Sequence, residues 1–413
     1  MKSLESYTCH TGPLGEVSKT LQRSVIMESC NTESSLDLPL ESLSLQPFLQ
    51  SLHKEQWQEV RLGEVAEMNN GKARPKNYGD YPIYGGNGIL GYGNQYNCDS
   101  ETIIVGRVGA YCGCVYYEKQ PIWVSDNAII VKAKSENNIK FLYYVLKSMN
   151  LNDYALGSSH PLLTQNLLNT LQVEIPKDIT TQQKIAEILS SFDDKIDLLH
   201  RQNKTLESLA LTLFRHYFID NPNRNEWELG KLGDYVKIID NRGKTPPFTT
   251  DITPYPLIEV NALSDDSMLI NYDVVRKYVI KETYQNWFRE HIKQYDILLS
   301  TVGSIGEVAM LLDNKGCIAQ NVIGFRARDI SPFYLYEWLK YMQQEIKEFD
   351  IGSVQPSIKI THFVEKQIYK PDSKTLESFD KQMLLITNKI SHNAKQIQNL
   401  QAMRDMLLKA IFA

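Results

Sequence analysis

No stretch of the 413-residue sequence approaches the ~18–20 consecutive apolar residues that span a bilayer, so no membrane protein is expected. The six cysteines include no Cys-x-x-Cys pair, which argues against a disulfide framework or a structural zinc site and for a reducing, cytoplasmic setting. Cys9-His10 and Cys30 do not complete four ligands at metal spacing, so no metal site is expected. With 44 basic and 49 acidic side chains, net −5, the chain is no histone-like polycation. The first 56 residues lack tryptophan and the apolar core of a signal peptide, and are acidic and serine-rich. They read as an extension with a short helix near Leu43 to Leu52. Hydrophobic residues at 42% and charged residues at 23% suit two or three domains with real cores.

Catalytic chemistry is missing too. Gly86-Asn87-Gly88-Ile89-Leu90-Gly91 fits a dinucleotide-type glycine pattern, but Tyr92-Gly93-Asn94 follows where a helix N-terminus is required. Gly243-Lys244-Thr245 resembles the end of a P-loop, yet Ile238 stands where its first glycine belongs. Thr245-Pro246-Pro247-Phe248 lacks the leading Asp, Asn or Ser of an amino-methyltransferase tetrapeptide. Pro371-Asp372-Ser373-Lys374 reads as a solvated linker, without the second carboxylate of a nuclease. No catalytic constellation is expected.

What the sequence does hold is a repeat. Trp57, Leu62, Gly63 and Glu64 recur as Trp227, Leu232, Gly233 and Asp234, at an offset of 170. Val108-Gly109 and Asn127 then recur as Val302-Gly303 and Asn321, at 194. Gly157-Ser158 and Pro161 recur as Gly352-Ser353 and Pro356, at 195. A steady offset with one jump marks a duplication carrying a single insertion of about 24 residues between Gly233 and Val302. Each copy reads as mixed α and β. Ile103 to Val105, Ile129 to Val131, Ile297 to Leu299 and Val322 to Phe325 predict strands. Phe141 to Met149 and Phe333 to Ile346 predict helices.

Each copy then runs into a long apolar-striped helix. Ile185, Leu189, Phe192, Ile196, Leu199, Asn203, Leu206, Ala210 and Leu213 step by four and three, a heptad seam. The second stripe is Phe379, Met383, Ile386, Ile390, Asn393, Ile397, Leu400, Arg404 and Leu407. Two such stripes bury most readily against each other. Asn203 and Asn393 suggest the direction, because an antiparallel pair that aligns them matches the apolar layers on either side. The fold class expected is α+β: two mixed α/β domains in tandem, each followed by a long helix, the helices forming an antiparallel coiled coil.

This arrangement resembles the specificity subunit of type I restriction-modification systems. Tyr81-Pro82-Ile83-Tyr84-Gly85-Gly86-Asn87-Gly88-Ile89-Leu90-Gly91-Tyr92 is similar to a loop recurrent in that family's target recognition domains. Gly157-Ser158-Ser159-His160-Pro161, Ile175-Pro176 and Gln182-Gln183-Lys184-Ile185-Ala186-Glu187-Ile188-Leu189 are similar to its passage from recognition domain into helix. The second copy keeps Gly352-Ser353-Val354-Gln355-Pro356 but departs from the Gln-Gln-Lys-Ile-Ala start. The resemblance implies recognition domains at 56–178 and 224–372 and conserved helices at 179–217 and 373–413. Residues 1–55 fall outside it.

It further implies a non-catalytic, cytoplasmic DNA-recognition subunit for a bipartite asymmetric target in double-stranded DNA. Its partners would be methyltransferase subunits, two of them, and restriction subunits. S-adenosylmethionine, ATP and magnesium would sit on those partners and none on this chain. Candidate DNA contacts are the loop residues able to reach phosphates or base edges. In the first copy they are Lys72, Arg74, Lys76, Asn87, Arg107, Asn127 and His160. In the second they are Arg242, Lys244, Asn261, Thr301, Gln320, Asn321, Gln355 and Lys359. Asn127 and Asn321 read equally as caps of a strand turn, and Tyr84, Tyr92 and Tyr111 as core or as sugar–phosphate contacts. Two other classes compete: a stand-alone DNA methyltransferase or nuclease, and a coiled-coil tether with no DNA role.

Overall fold

The β-branched runs of each copy become the central strands of a four-stranded antiparallel sheet. The structure, a computed structural model, describes residues 46–52, 56–134, 136–157, 161–264, 266–348 and 357–412. His160, most of the N-terminal extension, residues 158–160 of the first Gly-Ser segment and the whole of the second, Gly352 to Pro356 with Gln355, lie outside the described residues. The chain divides into two compact units, Met1–Asp197 with Gln396–Ala413, and Leu198–Lys395.

In the first unit the sheet runs Ala66–Asn70, Ala128–Ala133, Thr102–Gly106, Val115–Glu118. Thr102–Gly106 is buried along its whole length, as expected of a β-branched central strand covered on both faces. The helix Ile139–Ser148 buries Phe141, Leu142, Tyr144, Val145 and Leu146, and Asn138 caps it by accepting from the Phe141 N–H. Beside the sheet, Gly88–Gly93 pairs with Tyr81–Gly85, which pairs in parallel with Trp123–Val124. Trp57–Arg61 and Gln172–Pro176 pair antiparallel and bring the ends of the domain together.

The second unit repeats this plan. Its sheet runs Val236–Ile239, Val322–Ala327, Ile297–Ser300, Val308–Met310. Glu228–Lys231 pairs with Gln367–Lys370, and Leu257–Ile258 pairs in parallel with Cys317–Ile318. That parallel pair corrects the expectation of one insertion. Cys317–Ile318 sits 194 beyond Trp123–Val124, but Leu257–Ile258 sits 174 beyond Ile83–Tyr84. The jump is therefore divided, a few residues before the short strand and most after it. The longer piece carries its own packing, with Ala262, Leu263, Ile270, Val275 and Ile292 around Ile258 and Ile318. The predicted helix at Phe333 to Ile346 is two helices, Pro332–Tyr341 and Gln343–Glu348, because Met342 leaves helical geometry (φ −85°, ψ 1°).

The long helices span Ile179–Phe214 and Ser373–Phe412. Asp178 and Asp372, equivalent by the repeat, start them in the same way. Asp178 accepts from the Thr180 N–H at 3.1 Å and Asp372 from the Thr375 N–H at 2.9 Å. Asp372 is thus a helix cap rather than part of a linker, and the second helix starts without Gln-Gln-Lys-Ile-Ala. Within the first unit, Ile185, Leu189, Phe192 and Ile196 are buried, and Arg404 pairs with Asp193 at 2.6 Å. Within the second, Asn393 Nδ2 donates to Asn203 Oδ1 at 2.8 Å, and Phe379, Met383, Ile386 and Ile390 are buried. The first stripe departs from its heptad at the end. Leu213 is only half-buried, whereas Ala210, Phe214 and Phe218 are buried. The helix continues there into a π turn, Arg215–Ile219, which brings Phe218 within 4.6 Å of the Tyr334 ring and 4.9 Å of Phe379. Among the described residues no helix is long and apolar enough to cross a membrane.

Candidate nucleic-acid interface

Both sheets present the same backbone edge. In the first unit the central strand ends at Gly106, and the Arg107 N–H donates to the Asn127 carbonyl at 3.1 Å. The Leu163 N–H donates to the Arg107 carbonyl at 2.8 Å, and Val108 bridges to Leu162. In the second unit the Thr301 N–H donates to the Asn321 carbonyl at 2.8 Å, the Ile358 N–H to the Thr301 carbonyl at 2.9 Å, and Val302 bridges to Ser357. Three segments distant in sequence thus meet at the end of one strand in each copy. The turn glycines Gly109 (φ 72°) and Gly303 (φ 82°) are equivalent, and among the described residues a Cβ on either would meet nothing within 4 Å. A left-handed glycine, with no Cβ, lets a ligand approach the main chain closely.

Side chains converge on this edge differently in the two copies. Arg107 Nη1 donates to Asn70 Oδ1 at 3.3 Å in the first. In the second, position 107 is matched by Thr301 and position 70 by Asp240, and the arginine comes from Arg242, the match of Lys72. Arg242 grips Asp240 with Nε and Nη2 at 2.9 and 2.7 Å, and its Nη1 lies 3.4 Å from Thr301 Oγ1. Those hydrogen bonds hold the Asp240 carboxyl below the usual carboxylate range. Asn70 and Asp240 were missing from the candidates, although the offset of 170 already ties them together, and Thr245 stood only in the discarded P-loop and methyltransferase matches.

Most of the sequence-predicted residues described in the first copy lie around this edge. Asn87 is exposed at the turn of the hairpin Tyr81–Gly93. The turn packs on the edge, because a Cβ at Gly86 would lie 3.5 Å from the Asn127 carbonyl and 3.6 Å from the Gly106 Cα. Lys72 forms a bridge with Ser125, and Lys72, Arg74 and Lys76 are all exposed. The Ser125 hydroxyl and Arg107 Nε are buried without a hydrogen-bond partner among the described residues, the kind of unmet donor a polar ligand satisfies. Tyr92 and Tyr111 are exposed, whereas Tyr84 is buried and donates to Glu118. Burial raises the Tyr84 hydroxyl well above its ordinary pKa, so it is a neutral packing residue.

In the second copy Gln320, at φ 57°, donates to Thr245 Oγ1 at 2.7 Å, Asn321 is exposed, and Lys359 is exposed beside Ile358. Lys244 is exposed in the turn after Arg242. Thr301 departs from the expectation of a side chain free to reach DNA. It is fully buried, and its hydroxyl donates to the Asn321 carbonyl at 3.1 Å. Asn261 is exposed on the short helix Val260–Ala262 of the inserted segment. The glycine pattern at Gly86–Gly91 is the turn and outer strand of a hairpin, and Lys244-Thr245 is followed by irregular chain. Neither presents a helix N-terminus to a phosphate.

The type I restriction modification DNA specificity domain model matches residues 54–208 and again 224–396. The chain is 26% identical over 399 residues to the type I restriction enzyme MjaIX specificity subunit of Methanocaldococcus jannaschii, covering 85% of this chain and 91% of that protein. It is 33% identical over 157 residues to the Escherichia coli type I restriction enzyme EcoprrI specificity subunit, covering 36% and 39%. A crystal structure of a type I restriction-modification system S subunit from M. genitalium aligns with a TM-score of 0.56 at 19% identity, over 87% of this chain and 96% of that one. It shares the fold.

Proposed function

Since the chain belongs to the type I restriction modification DNA specificity family, we propose that it reads a bipartite, asymmetric DNA target and positions methyltransferase and restriction subunits on it. As a specificity subunit it is not itself a catalyst. Each recognition domain, 56–178 and 224–372, reads one half-site with the edge built around Arg107 and Asn127 or around Arg242 and Asn321. The observation that carries this reading is the repeated edge: one hydrogen-bonded framework, present twice, fitted with different side chains. Two equal frameworks with unequal contents are what two unequal half-sites require.

The long helices, 179–217 and 373–413, run antiparallel as a coiled coil and set the length of the unread spacer. Support comes from the amide pair Asn203–Asn393 and the ion pair Asp193–Arg404, in which one number rises as the other falls. Thirty-six residues at ~1.5 Å each make a rod of about 50 Å, more than one ~34 Å turn of DNA. S-adenosylmethionine, ATP and magnesium are bound by the partner subunits. The buried free thiols Cys98, Cys112 and Cys317 fit a reducing cytoplasm.

The test maps methylated adenines in cells expressing the chain with its methyltransferase partner. Deleting residues 57–175 should abolish recognition of one half-site and leave the other. Adding one heptad to both helices should lengthen the spacer. An unchanged target after both manipulations would refute the reading.

A further inference from the structure

We propose that the glycine-rich ribbon Tyr81–Gly93 enters the major groove and that Ile89, on its outer strand, reads thymine through the C5 methyl group. The inference rests on the reading of the chain as a DNA specificity subunit and adds which element recognises what. A major groove about 12 Å wide admits a two-stranded β-ribbon, and its only apolar feature is the thymine methyl.

Among the described residues the outer strand Gly88–Gly93 is the last in its sheet, with Tyr81–Gly85 on one side and no strand on the other. It exposes Ile89 at 48%, Leu90 at 38% and Tyr92 at 44%. Large apolar side chains on an open sheet edge are a liability unless a partner covers them. The pairing shifts between Ile83 and Tyr84, with Gly91 opposite Ile83 and Ile89 opposite Tyr84, so Leu90 is the extra residue of a bulge. Bulges re-aim side chains. Leu90 folds onto Gly85, where a Cβ would lie 2.3 Å from its Cδ1, while Ile89 is left outward. Gly91, at φ 152°, keeps space that no other residue uses, since a Cβ there would meet nothing within 4 Å.

Charge names the occupant. The exposed Lys72, Arg74 and Lys76 run beside the ribbon, with the Pro75 ring against Gly93. At the other end, the Asn87 turn meets the edge carrying Arg107 and Asn127. An apolar strip between a basic segment and a tip of amides and an arginine suits a DNA duplex, with phosphates outside and base edges within. The second copy replaces the ribbon with its inserted segment, so this mode belongs to one half-site alone.

The experiment uses the full chain assembled with its methyltransferase partner and a duplex carrying the mapped target. Each thymine of the half-site lost on deleting 57–175 is replaced in turn by deoxyuridine, which removes only the methyl. The wild-type complex should bind at least one such duplex about fourfold more weakly, the worth of one buried methyl. The Ile89→Ala complex should bind the thymine duplex more weakly and be indifferent to that replacement, and Ile89→Val should keep the methyl effect. Indifference of the wild type at every thymine, a half-site without thymine, or an undiminished methyl effect in Ile89→Ala would overturn the proposal. Failure of the wild-type complex to prefer the target duplex over unrelated DNA would instead overturn the specificity-subunit reading beneath it.

Discussion

The two units fill the gap after their short parallel strand in opposite ways. The first turns back at once into an open ribbon with apolar side chains in solvent. The second spends the same stretch on a segment that folds back on its own start, with Tyr284 stacked at 4.2 Å on Tyr255, just ahead of the short strand, and a small core around Ile258. Yet the sheet edge beside it keeps the same hydrogen bonds in both. The framework and the side chains on it are therefore separable. Even the arginine at the edge comes from a different segment, Arg107 in one copy and Arg242 in the other, while meeting the equivalent positions Asn70 and Asp240.

The sharpest way to set the units apart is pH. Burial raises the Glu337 carboxyl to about 8, opposed by Lys340 and aided by Glu207, and the matching helix Ile139–Ser148 carries no carboxylate. Between about 4.5 and 8 the folded second unit keeps a proton that the unfolded chain has lost. Its contribution to stability is complete at low pH and declines as pH rises through about 8, with a ceiling near 1.4 kcal/mol per pH unit. Urea midpoints from pH 5 to 9 should fall for the wild type and flatten in Glu337→Gln. Equal slopes would remove this contrast.

Phe218 tests how far the second core depends on the π turn. Phe218→Ala should destabilise that unit by about 3–5 kcal/mol, because the ring is buried among Phe214, Tyr334 and Phe379. Denaturant unfolding would measure it. Next comes the helix amide pair. Asn203→Leu alone leaves the buried Asn393 amide only its long 3.4 Å bond to Gln202 Oε1 and should cost about 1–3 kcal/mol, whereas Leu at both positions should restore or raise stability. A smaller contrast separates direct from positioning contacts at the edge. Arg107→Ala and Arg242→Ala should each weaken binding to a different half-site by about 1–3 kcal/mol, measured on duplexes altered in one half. Lys72→Ala should weaken binding on all sequences and lower the salt-dependence slope by about one.

Much of this was legible in the sequence because repetition and periodicity are local signals. Offsets of 170 and 194 gave the strand equivalents, and the heptads gave Asn203 opposite Asn393. The end of the first stripe was not legible, since Leu213 and Phe214 are both apolar and only aromatic packing with Tyr334 selects Phe214. The edge was half legible. Basic and amide residues in glycine-rich loops marked Arg107, Asn127 and Arg242, but nothing in the sequence shows that Thr301 is buried by its bond to Asn321. Nor did it show Ile89 pointing outward and Leu90 turned toward Gly85, because a bulge is a matter of pairing, which neighbours in sequence do not reveal.

The antiparallel pairs Trp57–Arg61 with Gln172–Pro176, and Glu228–Lys231 with Gln367–Lys370, mean that each globular head departs from and returns to nearly the same point. Such a head behaves as an interchangeable cartridge, in which exchange at the clasp stretches no neighbouring chain. Under the function proposed above, a new target would then follow from wholesale replacement of one head, without retuning the other.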